Sequence, residues 1–386
     1  MTPRRNAIAA PIRRAASAAA LIAALVLAGC TADPAPPPPT EPGSSPATTT
    51  AAPPAGTAEQ SGPNGPLDRT DVEVLATGLD APWSIAFAGN PLISQRDDAR
   101  ILELLPDGTT RPIGTVPDVV HGGEGGLLGI ALDFDGRLYA YSTGPDGNRV
   151  QRFELTGEPG AYGLGDPETI IDGIPAASTH NGGRIAIRPD GHLYIATGDA
   201  GQPQLAQDPS SLAGKILRVT LDGDVPDDNP IAGSPVWSLG HRNVQGLAWT
   251  RNGTMYASEF GASTWDELNI IEPGGNYGWP EVEGAGGDER FIDPVQQWAT
   301  ADASPSGIAI VPSNELVIAN LRGQVVRVVR LGDPTTSEEW FAGEFGRIRD
   351  AVTAPDGSVW LLTNNTDGRG SPSADDDRII RIGYEH

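Results

Sequence analysis

Short apolar runs separated by turn-forming pairs recur along the chain from about residue 80 onward. Each unit holds one apolar run, a turn, a second run, another turn and a third run. The first runs of the six units are 83–87 (WSIAF), 127–132 (LLGIAL), 183–187 (GRIAI), 245–249 (QGLAW), 306–310 (SGIAI) and 349–353 (RDAVT). Runs of this length bounded by turns predict β-strands rather than helices.

The turn after each first run favours a tight hairpin. These turns contain Gly89-Asn90, Asp135-Gly136, Asp190-Gly191, Asn252-Gly253, Ser313-Asn314 and Asp356-Gly357. Asp, Asn and Gly tolerate the left-handed backbone that a two-residue hairpin turn needs. The second runs (for example HLYIATGD) and third runs (for example GKILRVT) are therefore predicted to pair antiparallel with the first.

The spacing of the units sets the fold class. Equivalent positions in the six first runs lie 45, 55, 62, 61 and 44 residues apart. Six units of this length predict an all-β fold, a six-bladed β-propeller with four-stranded antiparallel blades, which closes radially and leaves no long sheet edge. A parallel β-helix is the structural alternative, but its repeats are usually shorter and more regular. The propeller is expected to cover residues 71–386.

The first 70 residues have a different character. Residues 1–29 carry four arginines, no acid and an apolar run from Ala15 to Ala28, as a secretory signal does. The run ends in Leu27-Ala28-Gly29-Cys30, which resembles the bacterial lipobox, so Cys30 is predicted to be the lipidated first residue of the mature chain. The alternative is an ordinary signal or anchor helix that contains a cysteine. Residues 30–70 are rich in Pro, Thr and Ala and are predicted to be a disordered tether.

Composition and net charge exclude several classes of site and partner. The chain has 386 residues, a formal charge of −24 and one cysteine. One cysteine excludes an internal disulfide and a cysteine-based metal cluster, and the acidic balance argues against nucleic acid as a partner. The expected location is outside the cytoplasm, with membrane attachment through the lipid anchor only.

Four loop motifs contain combinations of residues that turn formation alone does not require. His180-Asn181-Gly182-Gly183-Arg184 leads through a hairpin to Gly198-Asp199, and a hairpin of this length can bring His180 and Asp199 to one rim. A carboxylate beside an imidazole fixes its tautomer and stabilises the imidazolium, as a general base requires. The alternative is a structural histidine. The other motifs are 240–246 (GHRNVQG), 259–280, which contains EFGA, WDELN and GNYGWP, and 345–350 (FGRIRD).

Together these motifs resemble the soluble glucose/sorbosone dehydrogenase family, the quinoprotein aldose dehydrogenases that use pyrroloquinoline quinone (PQQ) and calcium. The resemblance covers essentially all of residues 71–386. It implies oxidation of the anomeric hydroxyl of an aldose to a lactone, with hydride passing to PQQ, His180 as the base and an external electron acceptor. It also implies catalytic roles for Asp199 and Arg242.

The resemblance implies ligand sets as well. An anionic quinone calls for arginine forks and amide donors, here Arg242, Asn243, Gln245, Arg322, Arg347 and Arg349; inter-blade salt bridges are the alternative for these arginines. The backbone carbonyls of Gly261 and Ala262 match the calcium ligands, although the family commonly has Pro at the second position. Asp266, Glu267 and Tyr277 resemble an additional structural calcium site, with ordinary turn acids as the alternative.

Two further departures from the family concern the site. Arg322 stands where members often have a cofactor-contacting lysine, and Glu124 stands near the substrate mouth where members more often have Gln. Glu124 and His180 are predicted to face the substrate. These departures motivate a second hypothesis, a non-catalytic surface-anchored propeller that binds a sugar or an envelope protein. A calcium-dependent lactone hydrolase is a third, for which the required cage of acid and Asn side chains is not evident.

Overall fold

The predicted hairpins are present, and five of their six turns contain a residue with the left-handed backbone that was expected. The computed structural model describes residues 65–385. In four of the turns glycine takes a left-handed conformation, with φ between 81° and 94° at Gly136, Gly191, Gly253 and Gly357. Each such glycine follows an inner strand and reverses the chain toward the second strand of its sheet.

The structure holds six four-stranded antiparallel sheets, which we number as blades 1 to 6. From the inner strand outward, blade 1 is β2 (Pro82–Phe87), β3 (Pro91–Gln95), β4 (Arg100–Leu104) and β5 (Thr110–Thr115). Blade 2 is β6 (Leu127–Leu132), β7 (Leu138–Gly144), β8 (Gly147–Thr156) and β9 (Gly163–Ile174). Blade 3 is β10 (Ile185–Ile187), β11 (His192–Ala196), β12 (Lys215–Thr220) and β13 (Val236–Leu239).

The remaining blades repeat the arrangement. Blade 4 is β14 (Val244–Trp249), β15 (Met255–Glu259), β16 (Trp265–Ile271) and β17 (Gln296–Ala299). Blade 5 is β18 (Pro305–Ile310), β19 (Glu315–Asn320), β20 (Val326–Arg330) and β21 (Glu338–Trp340). Blade 6 is β22 (Ile348–Thr353), β23 (Val359–Thr363), β24 (Ile379–Tyr384) and β1 (Leu67–Ala76). The helical structure within residues 65–385 is a single 3₁₀ turn at Pro203–Gln207.

The inner strands of neighbouring blades contact one another around the whole ring, so the sheet array is closed. Blade 6 joins the two ends of the domain, because β1 is its outermost strand and pairs with β24. The fold is therefore the predicted six-bladed β-propeller. Its first strand begins at Leu67, which is buried and pairs with Tyr384, so the predicted boundary at residue 71 lies four residues too late.

The core consists of six apolar clusters, one between each pair of neighbouring blades. Between blades 2 and 3, for example, Tyr139 and Val150 pack against Ile195 and Leu217, all fully buried. Burying one such aliphatic side chain contributes about 1.5–3 kcal/mol. Both faces of each sheet are thereby covered, which explains why the inner runs are apolar almost continuously.

All inner strands run in the same direction, so the loops that precede them lie on one face of the ring. The loops between the second and third strands of each blade lie on that face too. We call it the mouth face. Strand β1 begins at the opposite face. The four loop motifs singled out above lie on the mouth face or in the channel beneath it.

Candidate active site

His180 and Asp199 form an imidazole–carboxylate pair on the mouth face of blade 3. The Nδ1 atom of His180 lies 2.7 Å from Oδ1 of Asp199. His180 has a left-handed backbone, with φ of 57°, and two contacts hold it: its N–H donates to Glu124 Oε2 at 2.8 Å and its carbonyl accepts from Ala200 N–H at 3.1 Å. Gly198 permits this approach, because a Cβ there would lie 1.9 Å from the His180 carbonyl oxygen.

Asp199 is fully buried and uses both carboxylate oxygens. Oδ1 also accepts from Gly201 N–H at 2.8 Å, and Oδ2 accepts from the indole Nε1–H of Trp279 at 2.9 Å. Burial alone would raise the pKa of Asp199, but the hydrogen bonds from His180, Trp279 and Gly201 outweigh it and hold that pKa below its usual value. Asp199 is therefore a carboxylate at neutral pH and accepts the Nδ1–H of His180.

Arg242 lies on the other side of the imidazole. Its Nη2 donates to His180 Nε2 at 2.8 Å, and its Nη1 donates to the carbonyl of Phe260 at 3.1 Å. An arginine has only donors, so the Nε2 atom of His180 presents its lone pair to Arg242. Asp199 and Arg242 together select one neutral tautomer, with the proton on Nδ1 and the basic lone pair on Nε2.

Asn243 and Gln245 form a buried amide network that joins blade 3 to the channel. Asn243 Oδ1 accepts from Gly182 N–H at 3.0 Å and from Gln245 Nε2 at 3.1 Å. Gln245 also donates to the Gly182 carbonyl at 3.1 Å, and its Oε1 accepts from Arg349 Nη1 at 3.1 Å. The predicted cofactor residues Arg242, Asn243, Gln245 and Arg349 are thus brought together.

A small cavity opens at the mouth face beside this network. Its lining is mostly polar and comes from several blades: Trp83, Arg96, Glu124, Asn181, Gly182, Gln245, Phe260, Arg349 and Arg369. Three arginines and one glutamate give the lining a formal charge of +2. The cavity is thus locally positive within a strongly acidic chain, as a site for an anion would be.

Arg347 and Arg349 differ in whether a carboxylate of the protein forms an ion pair with the guanidinium. Arg347 Nη2 pairs with Asp367 at 3.0 Å, so the expected anion for this arginine is supplied by the protein. Arg349 is 4% exposed and forms no ion pair with any residue in 65–385; its remaining side-chain contact is Ser306 Oγ at 3.4 Å. Burial lowers the pKa of Arg349 to about 9, and the guanidinium remains charged at neutral pH.

Several buried guanidinium nitrogens lack an acceptor in the described structure. They include the Nε atoms of Arg242, Arg347 and Arg349 and the Nη2 of Arg184. Arg184 otherwise has a buried ion pair with Asp350 at 3.0 Å, and both Arg184 and Arg349 lie over the ring of Trp83, at 4.5 and 5.5 Å. Unsatisfied buried donors are costly unless a ligand completes them. Of these four side chains only Arg349 lines the cavity, so its Nε is the donor that a ligand in the cavity would complete.

Glu124 lines the cavity, as the substrate prediction requires, but its carboxylate already has protein partners. Oε2 accepts the His180 N–H, and Oε1 lies 3.2 Å from Nη2 of Arg369. Glu124 therefore holds the backbone of the imidazole residue and neutralises one arginine of the lining. It adds less free negative charge at the mouth than the sequence alone indicated.

The loop between β15 and β16 contains the two carbonyls that the resemblance assigns to calcium. Asp266 Oδ1 accepts the N–H of Gly261 at 2.8 Å, and Oδ2 accepts the N–H of Ser304 at 2.6 Å. Glu283 Oε1 accepts the N–H groups of Ala262, Ser263, Thr264 and Trp265. Partial burial of Glu283 would raise its pKa, but these backbone donors outweigh it and lower the pKa.

Asp266, Glu267 and Tyr277 do not come together as a set. Neighbouring strand residues face opposite sides of a sheet, so Asp266 faces the 261 loop while Glu267 accepts from Asn269 at 3.0 Å and from Gly284 N–H at 2.8 Å. Burial raises the pKa of Glu267 to about 8. The Tyr277 hydroxyl donates to the Ile270 carbonyl at 2.7 Å, and its ring stacks on His241. The three predicted ligands of an additional calcium thus have separate protein partners.

Arg322 is also not at the cavity. It is exposed on the loop between β19 and β20, and the cavity lining does not include it. Sequence reasoning missed Trp83, Arg96, Asp367, Arg369 and Glu283 as residues of the site. Arg96 and Asp367 follow buried strands at the mouth face, which is a usable signal; Glu283 lies in a long loop that offers none.

Two features are absent from residues 65–385. No helix in that range is long and apolar enough to cross a membrane. No three His, Cys, Asp or Glu side chains in that range are placed to hold a metal ion. A metal at this site would depend on backbone carbonyls, as the resemblance implies for Gly261 and Ala262.

The fold and site define a closed propeller with a paired imidazole base beside uncompensated arginines. A model of the family described as Glucose / Sorbosone dehydrogenase matches residues 79–380, and the chain belongs to this family. It is 34% identical to aldose sugar dehydrogenase YliI of Escherichia coli, over 77% of this chain and 91% of that protein. It is 33% identical to quinoprotein glucose dehydrogenase B of Acinetobacter calcoaceticus, over 57% of this chain and 54% of that one.

A solved structure of a sugar dehydrogenase is also similar to this chain. The PQQ-bound form of an aldose sugar dehydrogenase from Streptomyces coelicolor is 47% identical, with a TM-score of 0.77, and the match covers 81% of this chain and 98% of that one. The family match over residues 79–380 spans most of the propeller and includes the four loop motifs described above.

Proposed function

We propose that this protein oxidises the anomeric hydroxyl of aldose sugars to lactones, with hydride transfer to calcium-bound PQQ and His180 as the general base. The observation that carries the proposal is that a base of defined tautomer and a buried arginine without an anionic partner lie in one connected site. The family relatives named as aldose and glucose dehydrogenases support it.

The cavity suits the cofactor on its own chemistry. PQQ is a tricarboxylate with an ortho-quinone, and the cavity lining offers the guanidinium of Arg349, whose Nε has no acceptor within the described residues. The carbonyls of Gly261 and Ala262 are oxygen ligands of the kind calcium prefers. When bound, PQQ would supply the acceptor for hydride from the sugar and a route for the two electrons to an external acceptor, and calcium would supply a Lewis acid.

The protein's own groups handle the proton. His180 Nε2 takes it from the anomeric hydroxyl, and Asp199, ionised and bonded to Nδ1–H, stabilises the resulting imidazolium. Arg242 donates to the same Nε2 in the absence of substrate, so the hydroxyl must displace that hydrogen bond. The displaced guanidinium then stays next to the reacting centre, where it can stabilise developing negative charge.

The second hypothesis, a non-catalytic surface propeller, receives less support. Its motivation was the departure from the family at Glu124, Ala262 and Arg322. The imidazole pair, its tautomer and the buried arginine are all intact despite those departures, and a purely structural propeller would gain nothing from burying Arg349 without an anion.

Reconstitution tests the proposal directly. We expect purified protein, supplied with PQQ and Ca²⁺, to reduce a redox dye in the presence of aldoses, and a sugar panel to rank its substrates. Omitting either PQQ or Ca²⁺ should abolish the reaction. Absence of PQQ binding at every calcium concentration would contradict the proposal, and PQQ binding without turnover would favour the non-catalytic hypothesis.

We also propose that Cys30 is lipidated and anchors the protein outside the cytoplasm. Residues 1–64 lie outside the described part of the structure, so the support is the lipobox in the sequence. Strand β1 begins at the face opposite the mouth.

Fractionation of cells checks the anchor. Wild type should sediment with membranes and carry a lipid on its mature first residue by mass spectrometry. Cys30→Ser should move the protein to the soluble extracytoplasmic fraction, with the propeller and its activity unchanged, because Cys30 is far from the propeller in sequence. Equal membrane association of both proteins would count against the anchor.

A further inference from the structure

Five consecutive backbone N–H groups in the β15–β16 loop point at carboxylates. Gly261 N–H donates to Asp266, and the next four N–H groups converge on one oxygen, Glu283 Oε1, at 2.6, 2.9, 3.0 and 3.2 Å. Residues 262–264 are exposed, so side-chain packing cannot hold this loop. The hydrogen bonds to Glu283 are what fix it within the described structure.

These bonds determine where the loop carbonyls point. In a planar trans peptide the C=O and the N–H point in opposite directions. The N–H of Ala262 shares its peptide with the carbonyl of Gly261, and the N–H of Ser263 shares its peptide with the carbonyl of Ala262. Because both N–H groups face Glu283, both carbonyls face away from it.

The first carbonyl of the loop, that of Phe260, reaches the site. The preceding peptide follows the same rule: Gly261 N–H faces Asp266 while the Phe260 carbonyl accepts from Arg242 Nη1 at 3.1 Å. Three successive carbonyls, those of residues 260, 261 and 262, are thus held opposite the carboxylates. The first of them reaches the arginine that contacts His180.

We infer that Glu283 is a positioning residue for calcium, which acts by holding the carbonyls of Gly261 and Ala262 in a fixed orientation. The inference rests on the proposed function, because it takes calcium as the metal of the site. Glu283 does not touch the metal. It takes over the role that a proline at position 262 would have, since proline stiffens the backbone but has no N–H to donate.

Hydrogen bonds to Glu283 and a proline at position 262 are two ways of fixing the same loop, so the residue at 262 should determine how far the loop depends on Glu283. With alanine at 262 the loop gains a fourth donor to Glu283 and loses the intrinsic rigidity of proline. With proline at 262 one donor is lost and φ is fixed. A proline at position 262 should therefore hold the loop when Glu283 is removed.

Calcium titrations of PQQ binding test this inference. We expect Glu283→Ala to raise the calcium concentration for half-maximal PQQ binding, followed by absorbance, about 10- to 100-fold, as loss of an outer-shell partner of a metal ligand typically does. Glu281→Ala is the matched control, because Glu281 lies two residues away and pairs with Arg290 on the surface at 2.9 Å. Glu281→Ala should leave the titration unchanged.

Amide hydrogen exchange gives a readout that needs no metal. In metal-free wild type the amides of residues 262–265 should be protected despite their exposure, and Glu283→Ala should remove that protection selectively. Adding Ala262→Pro to Glu283→Ala should restore most of the calcium affinity, whereas the same proline in wild type should gain little.

The outcomes separate this inference from the proposed function. If wild type binds PQQ with no need of calcium, both are overturned. If wild type needs calcium and Glu283→Ala shows the same titration, the positioning role is overturned while the proposed function stands. A melting-temperature loss in Glu283→Ala with unchanged calcium affinity would assign Glu283 a structural role only and would also overturn the inference.

Discussion

Replacing His180 by alanine is expected to lower turnover about 1,000-fold at saturating sugar, since a positioned general base contributes typically 10²–10⁴ in rate. That factor corresponds to about 4 kcal/mol of transition-state stabilisation. The geometry behind it is the pairing of His180 with Asp199 at 2.7 Å, which leaves the lone pair of Nε2 as the proton acceptor. PQQ binding should survive the change, because Arg349 and the channel amides are untouched.

The control for this prediction is another histidine. His192→Ala makes the same change at the start of β11, in the turn at the face opposite the mouth, where His192 contacts Asp190 and Arg218. It should retain wild-type turnover. Stopped-flow reduction of the PQQ-loaded enzyme by sugar measures the step itself. Reduction of His180→Ala at more than a tenth of the wild-type rate would mean that another group takes the proton.

Replacing Asp199 by asparagine should lower turnover, although the two side chains have nearly the same shape. Asp199 accepts one hydrogen bond from His180, one from Trp279 and one from a backbone amide. An asparagine would present an NH₂ group to one of these donors, and the imidazole could then turn its other tautomer toward the substrate. Asp199 thus acts through its negative charge and the geometry of its acceptor oxygens, and not through the volume that it fills.

The propeller could be predicted from the sequence because its signals are local. A β-hairpin is specified by a few turn residues between apolar runs, and six such units leave little choice of architecture. The closure by β1 could not be predicted in this way. Leu67 pairs with Tyr384 across almost the entire domain, and no short-range pattern marks a partner at that distance.

Within the site, residues in loop motifs were found and residues that act through long-range contacts were missed. His180 and Asp199 are joined by one hairpin, so their proximity follows from chain geometry. Trp279 reaches Asp199 from another blade, and Glu283 reaches the 261 loop from a long connection; neither contact has a sequence signal. Asp266 and Glu267 have separate protein partners, which the sequence could have indicated, because adjacent residues of a strand face opposite sides.

The arginines of the channel show why residue type alone was not enough. Arg184 and Arg349 both lie over Trp83, and both are buried. Arg184 has Asp350 at 3.0 Å, whereas Arg349 hydrogen-bonds only the neutral oxygens of Gln245 and Ser306, and the carboxylate of Asp367, which pairs with Arg347, attracts it without forming an ion pair. A buried cation without an anion is unfavourable for folding, so the chain bears a cost at Arg349 that a bound anion would remove.

Arg349→Met should therefore change stability and cofactor affinity in opposite directions. Methionine keeps the apolar volume near Trp83 but removes the uncompensated charge, so the cofactor-free protein should melt at the same temperature or higher. Affinity for PQQ should fall about 100-fold, or roughly 3 kcal/mol, as loss of one partner of a buried charge pair typically costs. Isothermal titration with PQQ in saturating calcium, beside thermal melts of the cofactor-free protein, measures both quantities.

Arg184→Met is the matched comparison, because it makes the same change at a paired arginine. It should strand the carboxylate of Asp350 and lower the free energy of unfolding of the cofactor-free protein by about 3 kcal/mol, in line with the breaking of a buried ion pair. The contrast identifies which arginine is kept for the ligand: a residue kept for folding lowers stability when lost, and a residue kept for an anion does not. If Arg349→Met destabilised the cofactor-free protein as much as Arg184→Met and left PQQ affinity unchanged, Arg349 would be a structural residue of the channel.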